Sequence, residues 1–227
     1  MNPRVTHRFK ITPKAAARLQ EDLRGRLQIG RTLDLNKVRL VAGADVSYLT
    51  GDERMFAAVA VFDYPGMEPV ELRWGSAPVS FPYVPGLLAF REAPALLSVF
   101  KRLSCEPDAI LFDGHGVAHP RGFGIGSHMG VLLGVPTVGV AKSVLVGEYK
   151  MPAAQKGSRA PLVYNGETVG FTVRTREGVK PVFVSVGNLI DLESAVRLLL
   201  SCCGRYRMPE PIRAAHRLSN EARAGRA

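Results

Sequence analysis

Asp113 closes an apolar run, Ala109-Ile110-Leu111-Phe112, and opens the segment DGHGVAHPRGFGIGSHMG. A buried strand that ends in an acid and feeds a glycine-laden loop carrying His115, His119 and Arg121 is hard to explain by packing. Asp45 lies inside a second apolar run, VRLVAGADV at 38–46. Burying an unpaired carboxylate is costly enough that the group neutralises or finds a cation. A hard divalent metal bound by one or two carboxylates, with waters and substrate phosphates completing its shell, satisfies both acids. The pair points to a metal-dependent enzyme acting on phosphates.

Three further features could join them. Glu92 sits in LLAFREAPALL, where a lone helical Glu is usually solvated. Pro94 cannot donate to the carbonyl of Phe90, so a kink or restart is expected there. A restart places Glu92 near a helix N-terminus, where dipole and free amides favour an anion, and a third acid would complete a two-metal site. Lys142 ends the apolar strand VPTVGVAK; such lysines commonly snorkel to solvent, but one within reach of two acids can stabilise charge on phosphate. His115 and His119 imitate zinc spacing, yet Gly116 and Pro120 argue against a helical pair and the soft ligands of a closed zinc site are missing. A loop histidine near phosphate is the better reading of His119, with a structural role still open.

The segment Phe81-Pro82-Tyr83-Val84-Pro85-Gly86 is stiffened by two prolines, each fixing its own φ and restricting its predecessor. A rigid loop presenting Tyr83 could wedge into a base stack. An aromatic platform returns about 1–3 kcal/mol per stacked base, comparable to the few kcal/mol that flipping a base costs. The bland alternative is a loop folded onto the core by Phe81 and Tyr83.

The elements that must position these residues read in order. Thr12-Pro13 opens a basic amphipathic helix over 12–29, with Ala16, Leu19, Leu23 and Leu27 at helical spacing. Strands at 38–48, 55–63 and 70–80, separated by turn signals at Thr50-Gly51-Asp52 and Tyr64-Pro65-Gly66, suggest an antiparallel meander. A helix follows at 87–103, then strand 108–113, the glycine loop, a helix near 126–134 and strand 136–141, a βαβ unit with a parallel element. Shorter strands at 161–164, 168–174 and 181–186 precede a helix from Asp191 to about Cys203, and a last helix follows Pro209-Glu210-Pro211 with a polar, frayed tail after Asn220. Within VAGADVSY, alternation puts Val41, Gly43, Asp45 and Ser47 on one face. This chain order is that of the ribonuclease H-like architecture, in which acids on the first strand and a neighbouring parallel strand meet at one sheet edge. The fold expected is α/β, with a mixed central β-sheet and flanking helices.

Composition is consistent with this. The 227 residues are 46% hydrophobic and 22% charged, enough for a real core in a soluble chain. Thirty Lys+Arg against 20 Asp+Glu give a net charge of +10, which favours nucleic acid without proving it. No stretch approaches the roughly 20 apolar residues of a membrane span, and MNPRVTHRFKITPK lacks the core of a secretory signal. Cys105, Cys202 and Cys203 form no bridge framework, so they read as small hydrophobes in a reducing cytoplasm. With no repeat or linker, residues 1–227 are expected to form one domain: an N-terminal helix about 12–29, a core about 37–203, and a C-terminal helix and tail about 209–227.

Taken together, AGADVSY, FPYVPGLLAFREAPALL, DGHGVAHPRGFGIGSHMG and VPTVGVAKS resemble the endonuclease V family, the deoxyinosine 3′-endonucleases, in order and spacing over nearly the whole chain. The resemblance implies a Mg²⁺-dependent nuclease, with Mn²⁺ able to substitute, acting on deaminated, inosine-containing DNA. Such an enzyme nicks the second phosphodiester bond 3′ of the lesion and leaves 3′-hydroxyl and 5′-phosphate. Position by position, it implies Asp45, Glu92 and Asp113 as metal-binding acids, Lys142 and His119 as basic residues near the cleavage centre, and His216 near the metal. It further implies Pro82, Tyr83, Val84 and Pro85 as the wedge, and Leu88, Gly114 and Ile125 as the base pocket. Asn188 departs from the histidine of many relatives and cannot carry a proton at neutral pH. Inosine-containing RNA is the alternative substrate, another ribonuclease H-like repair nuclease the alternative enzyme, and a monomer the default. A non-catalytic binding module and a small zinc hydrolase are the rivals of other classes.

Overall fold

The computed structural model describes residues 1–49, 51 and 53–227. Strands β1 (Leu40–Ser47), β2 (Arg54–Asp63) and β3 (Pro69–Pro78) form the expected antiparallel meander. Of the first turn signal, Thr50 and Asp52 lie outside the described residues. Strand β4 (Ala109–Asp113) runs parallel to β1, and β5 (Thr137–Ala141) runs parallel to β4. Beyond them lie β9 (Val182–Asn188), β8 (Glu167–Val173), β7 (Arg159–Tyr164) and the two-residue β6 (Glu148–Tyr149), all antiparallel. Among the described residues the sheet order is β3-β2-β1-β4-β5-β9-β8-β7-β6.

Each face of the sheet carries its own helices. Val41, Ala58, Ala60, Leu111, Val138 and Val140 pack on one face with residues of α4 (Leu192–Ser201) and α5 (Glu210–Arg223). Ala42, Ala44, Val59, Ile110 and Phe112 pack on the other with residues of α2 (Leu88–Phe100) and α3 (Ile125–Leu133). Because successive strand residues alternate between faces, Asp45 and Asp113 continue the α4/α5 face. Gly43 lets α5 lie directly on β1: a Cβ there would meet the Pro211 carbonyl carbon at 2.1 Å. The glycine loop after β4 crosses β5 just as closely, since a Cβ on Gly139 would lie 2.2 Å from the Gly116 nitrogen.

Helix α1 (Pro13–Arg24) is capped by Thr12, whose Oγ1 accepts from the Ala15 amide at 3.3 Å, and it stops at Gly25, short of the expected residue 29. Helix α2 corrects the reading of Pro94: the helix continues through it without a restart, and Glu92 is its fifth residue rather than a new N-terminus. Burial of Phe90, Ala93, Ala95, Leu96 and Val99 on one helix outweighs the single backbone bond that proline omits. Helix α5 likewise continues past Asn220 to Arg223, because that turn is tied down: the Arg223 Nε donates to Ser47 Oγ at 2.9 Å, and that hydroxyl donates to Asn220 Oδ1 at 2.8 Å. Among the described residues no helix is long and apolar enough to cross a membrane.

Candidate active site at the sheet edge

The C-terminal ends of β1, β4 and β5 bring Asp45, Asp113 and Lys142 to one rim, and α5 lowers His216 onto them. His216 Nδ1 donates to Asp45 Oδ2 at 3.0 Å, and Ser219 Oγ donates to the same oxygen at 3.0 Å. Lys142 Nζ lies 2.6 Å from Asp113 Oδ2. One ligand atom each from Asp45, Asp113 and His216 all fall within 4.8 Å of one another. Arg207 supports the lysine from behind, its Nη2 donating to the Lys142 and Pro181 carbonyls at 2.7 Å.

Glu92 approaches from α2, on the opposite face of the sheet, and lines the same groove as Asp45, Lys142 and His216. Burial, followed by the charges of Asp45 and Asp113, raises its pKa to about 8 despite a hydrogen bond from the Tyr48 hydroxyl. Burial also raises Asp113 above the usual carboxylate range, against the opposing bond from Lys142. The bond to Asp45 raises His216. Asp45, Asp113 and His216 form the close cluster, while Glu92 stands outside it and lines the same groove. Two crowded acids with a third along the groove make a site that favours an added cation. Two strand carboxylates, a third beside them and an imidazole are a donor set that a hard divalent ion accepts.

On the other face of this rim lies a cavity of about 410 Å³, within the range of roughly 300–1,000 Å³ typical of small-ligand pockets. Tyr83, Val84 and Pro85 form one side, and Leu88, Gly114 and Ile125 another, so the expected wedge and base-pocket residues share one cavity apart from Pro82, which is exposed at the loop's start. Tyr83 is 68% exposed, so its ring projects rather than packs, while Phe81 is buried beside Phe90. Helix α1 pins the loop's far end: Gln20 Nε2 donates to the Gly86 and Phe123 carbonyls at 3.1 and 2.6 Å.

His119 and His115 line this cavity and are not brought into the acid cluster. His119 Nδ1 accepts from the Arg121 amide at 3.2 Å, so its Nε2 carries the proton donated to Gly86 O at 3.0 Å. Burial lowers both histidines to about 4, which keeps them neutral at pH 7. Asn188 is buried and structural, its amide donating to Gly130 O at 3.0 Å and accepting from the Gln28 amide at 2.9 Å. The three cysteines are free, and Cys202 and Cys203 are buried.

Sequence reasoning missed several members of the site. Tyr48 lines both the cavity and the acidic groove, and Ser143, Val144 and Leu145 complete the cavity wall. Nothing local in the sequence marked them; the structure leaves the apolar Val144 and Leu145, just past Lys142, exposed at this wall. Arg91 carried no role in the sequence reading; it is buried, and its Nη1 donates to Phe81 O at 2.8 Å.

A meander followed by parallel strands, with acids converging at the sheet's rim, defines a nuclease of the ribonuclease H-like class. The family model for endonuclease V matches residues 21–217. Endonuclease V of Gloeobacter violaceus is 47% identical over 97% of this chain and 90% of its own length. The crystal structure of endonuclease V from Streptomyces avermitilis is 42% identical, covers 99% of both chains and superposes with a TM-score of 0.92. Endonuclease V of Ciona intestinalis, solved in complex with a 24mer DNA containing an inosine followed by a ribo-adenosine, is 29% identical over 93% of this chain and 98% of that one, with a TM-score of 0.80. This chain belongs to the endonuclease V family.

Proposed function

We propose that this protein is a Mg²⁺-dependent DNA repair endonuclease that nicks the second phosphodiester bond 3′ of deoxyinosine. The observation that carries the reading is a shared wall. Tyr48 and Glu92 line both the cavity behind the tyrosine loop and the acidic groove, so a base held in one lies beside a phosphate in the other. The inosine-containing DNA bound by the Ciona relative supports the same choice of lesion.

On this reading Tyr83, carried by Pro82, Val84 and Pro85, fills the gap left by an everted hypoxanthine. The base enters between Leu88, Gly114 and Ile125. A pocket that matches hypoxanthine's hydrogen-bonding edge leaves donors or acceptors unpaired when offered adenine, and that desolvation disfavours the normal base. His119 keeps the loop's end at Gly86 in place. Asp45 and Asp113 would hold the cation, with Glu92 completing or supporting the shell and His216 joining from α5; Mn²⁺ is expected to substitute. When bound, the ion would supply Lewis-acid polarisation of the phosphate and lower the pKa of water. Water adds to phosphorus, the bond to the 3′ oxygen breaks, and 3′-hydroxyl and 5′-phosphate result. Lys142 neutralises charge on the phosphate as it develops. The residues named come from strands, helices and loops that meet about one rim of the sheet, which supports a single domain acting as a monomer.

The test is a nicking assay on end-labelled inosine duplexes with Mg²⁺ or EDTA, mapping the cut against normal-DNA controls. Cleavage at the second bond 3′ of inosine, lost in EDTA, is expected; metal-independent or lesion-independent cleavage contradicts the reading. A second reading, cleavage of inosine-containing RNA, draws on the ribo-adenosine following inosine in the Ciona complex. Faster turnover of matched inosine RNA would favour it.

A further inference from the structure

The acidic rim has a second flank. Where β4 and β5 end, Gly114 and Ser143 line the base cavity, whereas their predecessors Asp113 and Lys142 line a separate groove of about 210 Å³ beneath α5. Met208 and Ile212 form part of this groove, and Arg213, His216 and Arg217 complete it. The base cavity and this groove therefore lie on opposite sides of the residues that would hold the scissile phosphate.

Helix α5 is built to edge that groove with positive charge. Arg213, His216, Arg217 and Asn220 recur at helical spacing and form one stripe beside the acids. Ile212, Ala215 and Ser219 bury the adjoining face of the helix. Arg213 is held in place: its guanidinium carbon lies 3.3 Å from the Tyr206 ring centroid, and its Nη1 pairs with Glu210 at 2.5 Å. Arg205 bonds to the Tyr206 hydroxyl at 2.7 Å, which extends the basic track outward. Arg217 is exposed. A lone basic residue on a helix is ordinary; two arginines a turn apart, bordering an apolar-floored groove next to a phosphodiesterase centre, have a clear complement in a nucleic-acid backbone.

We infer that this groove is the path of the cleaved strand on the 3′ side of the nick, with Arg213 and Arg217 each contacting a phosphate. The inference rests on the proposed function, because the polarity follows from it. If the lesion sits in the base cavity and the cut lies 3′ of it, a strand leaving the cavity passes Asp113 and Lys142 and continues 3′ into the groove under α5. Met208 then faces the sugar or base edge between the two phosphates, with Ile212 buried beneath it as the groove's floor.

The probe is a fluorescent inosine-containing single strand in two forms, one ending just beyond the nick site and one carrying several more 3′ nucleotides. Binding is followed by anisotropy in EDTA across a salt series. Each phosphate neutralised on a single strand contributes about −0.7 to the log-log salt slope. The native chain should show a steeper slope on the longer strand by about 1.4, and Arg213→Gln/Arg217→Gln should abolish that difference. Arg217→Gln alone, an exposed change with no core contact, should remove about half of it. Extending the 5′ arm instead serves as the control, and its effect should survive in both variants. A 3′-arm effect that is absent in the native chain, or that persists in the double variant, overturns the inference. Loss of inosine-dependent nicking by the native chain overturns the proposed function instead, so the two failures are distinguishable.

Discussion

The guanidinium of Arg91 lies 4.8 Å from the centroid of the Tyr48 ring, a cation–π distance. The same guanidinium bonds to Phe81 at the root of the tyrosine loop, and the Tyr48 hydroxyl bonds to Glu92. A short chain of contacts thus joins the tyrosine loop to the carboxylates of the acidic groove. Burial, followed by the negative charge of Glu92, pushes the Tyr48 hydroxyl up to about 12, so it stays protonated and keeps donating.

Arg91→Met should free the loop root. Leaving the Phe81 carbonyl unsatisfied in a buried setting costs about 1–3 kcal/mol, and each kcal/mol is worth roughly 2–4 °C in Tm for a chain of this size. A thermal melt with limited proteolysis of the loop over 81–86 checks this. An unchanged Tm and cleavage pattern would remove the anchoring role.

Gly43→Ala should damage the site without touching an acid. The added methyl meets the Pro211 backbone at 2.1 Å, so α5 must lift from β1 and carry His216 away from Asp45. Overpacking of this kind costs about 1–3 kcal/mol. Nicking should fall at least about tenfold, the equivalent of 1.4 kcal/mol in the barrier; full activity at normal stability would show that α5 need not sit so close.

Tyr83→Ala should weaken inosine discrimination in duplex DNA more than in single strands, where no stack needs to be propped open. Comparing kcat/KM on the two substrates measures this. Equal losses would assign Tyr83 to something other than wedging.

Acid stability should depend on His128. It is fully buried, with its Nε2 2.7 Å from that of His7, and burial lowers its pKa from 6.5 to about 3. Between those values the unfolded chain binds more protons than the folded one, so stability is complete above about 6.5 and declines as pH falls toward about 3. His128→Leu should flatten that limb in urea melts between pH 4 and 6.5. An unaltered limb would place the acid sensitivity on other groups.

Much of the site was legible because strand chemistry is local. An acid interrupting VAGADV or closing AILFD is conspicuous, and period-two alternation assigns its face. The continuity of α2 through Pro94 was not, since it depends on burial against strands distant in the chain. Tyr48, Arg91 and the Ser143-Val144-Leu145 wall were equally hidden, because each acquires its role only where α2, β1 and β5 converge. His119 illustrates the limit from the other side: its type suggested phosphate chemistry, and its bonds tie it to the Gly86 end of the tyrosine loop. Asn188 differed in type from an expected histidine, yet its place is a buried joint between β9, α3 and the segment after α1.

The most direct test of the account is anomalous diffraction from crystals grown with Mn²⁺. A peak bounded by the carboxylates of Asp45 and Asp113, with Glu92 and His216 beside it, and absent from Asp45→Asn/Asp113→Asn, is the expected result. No peak at that rim, or one seated instead at His115 and His119, would contradict it.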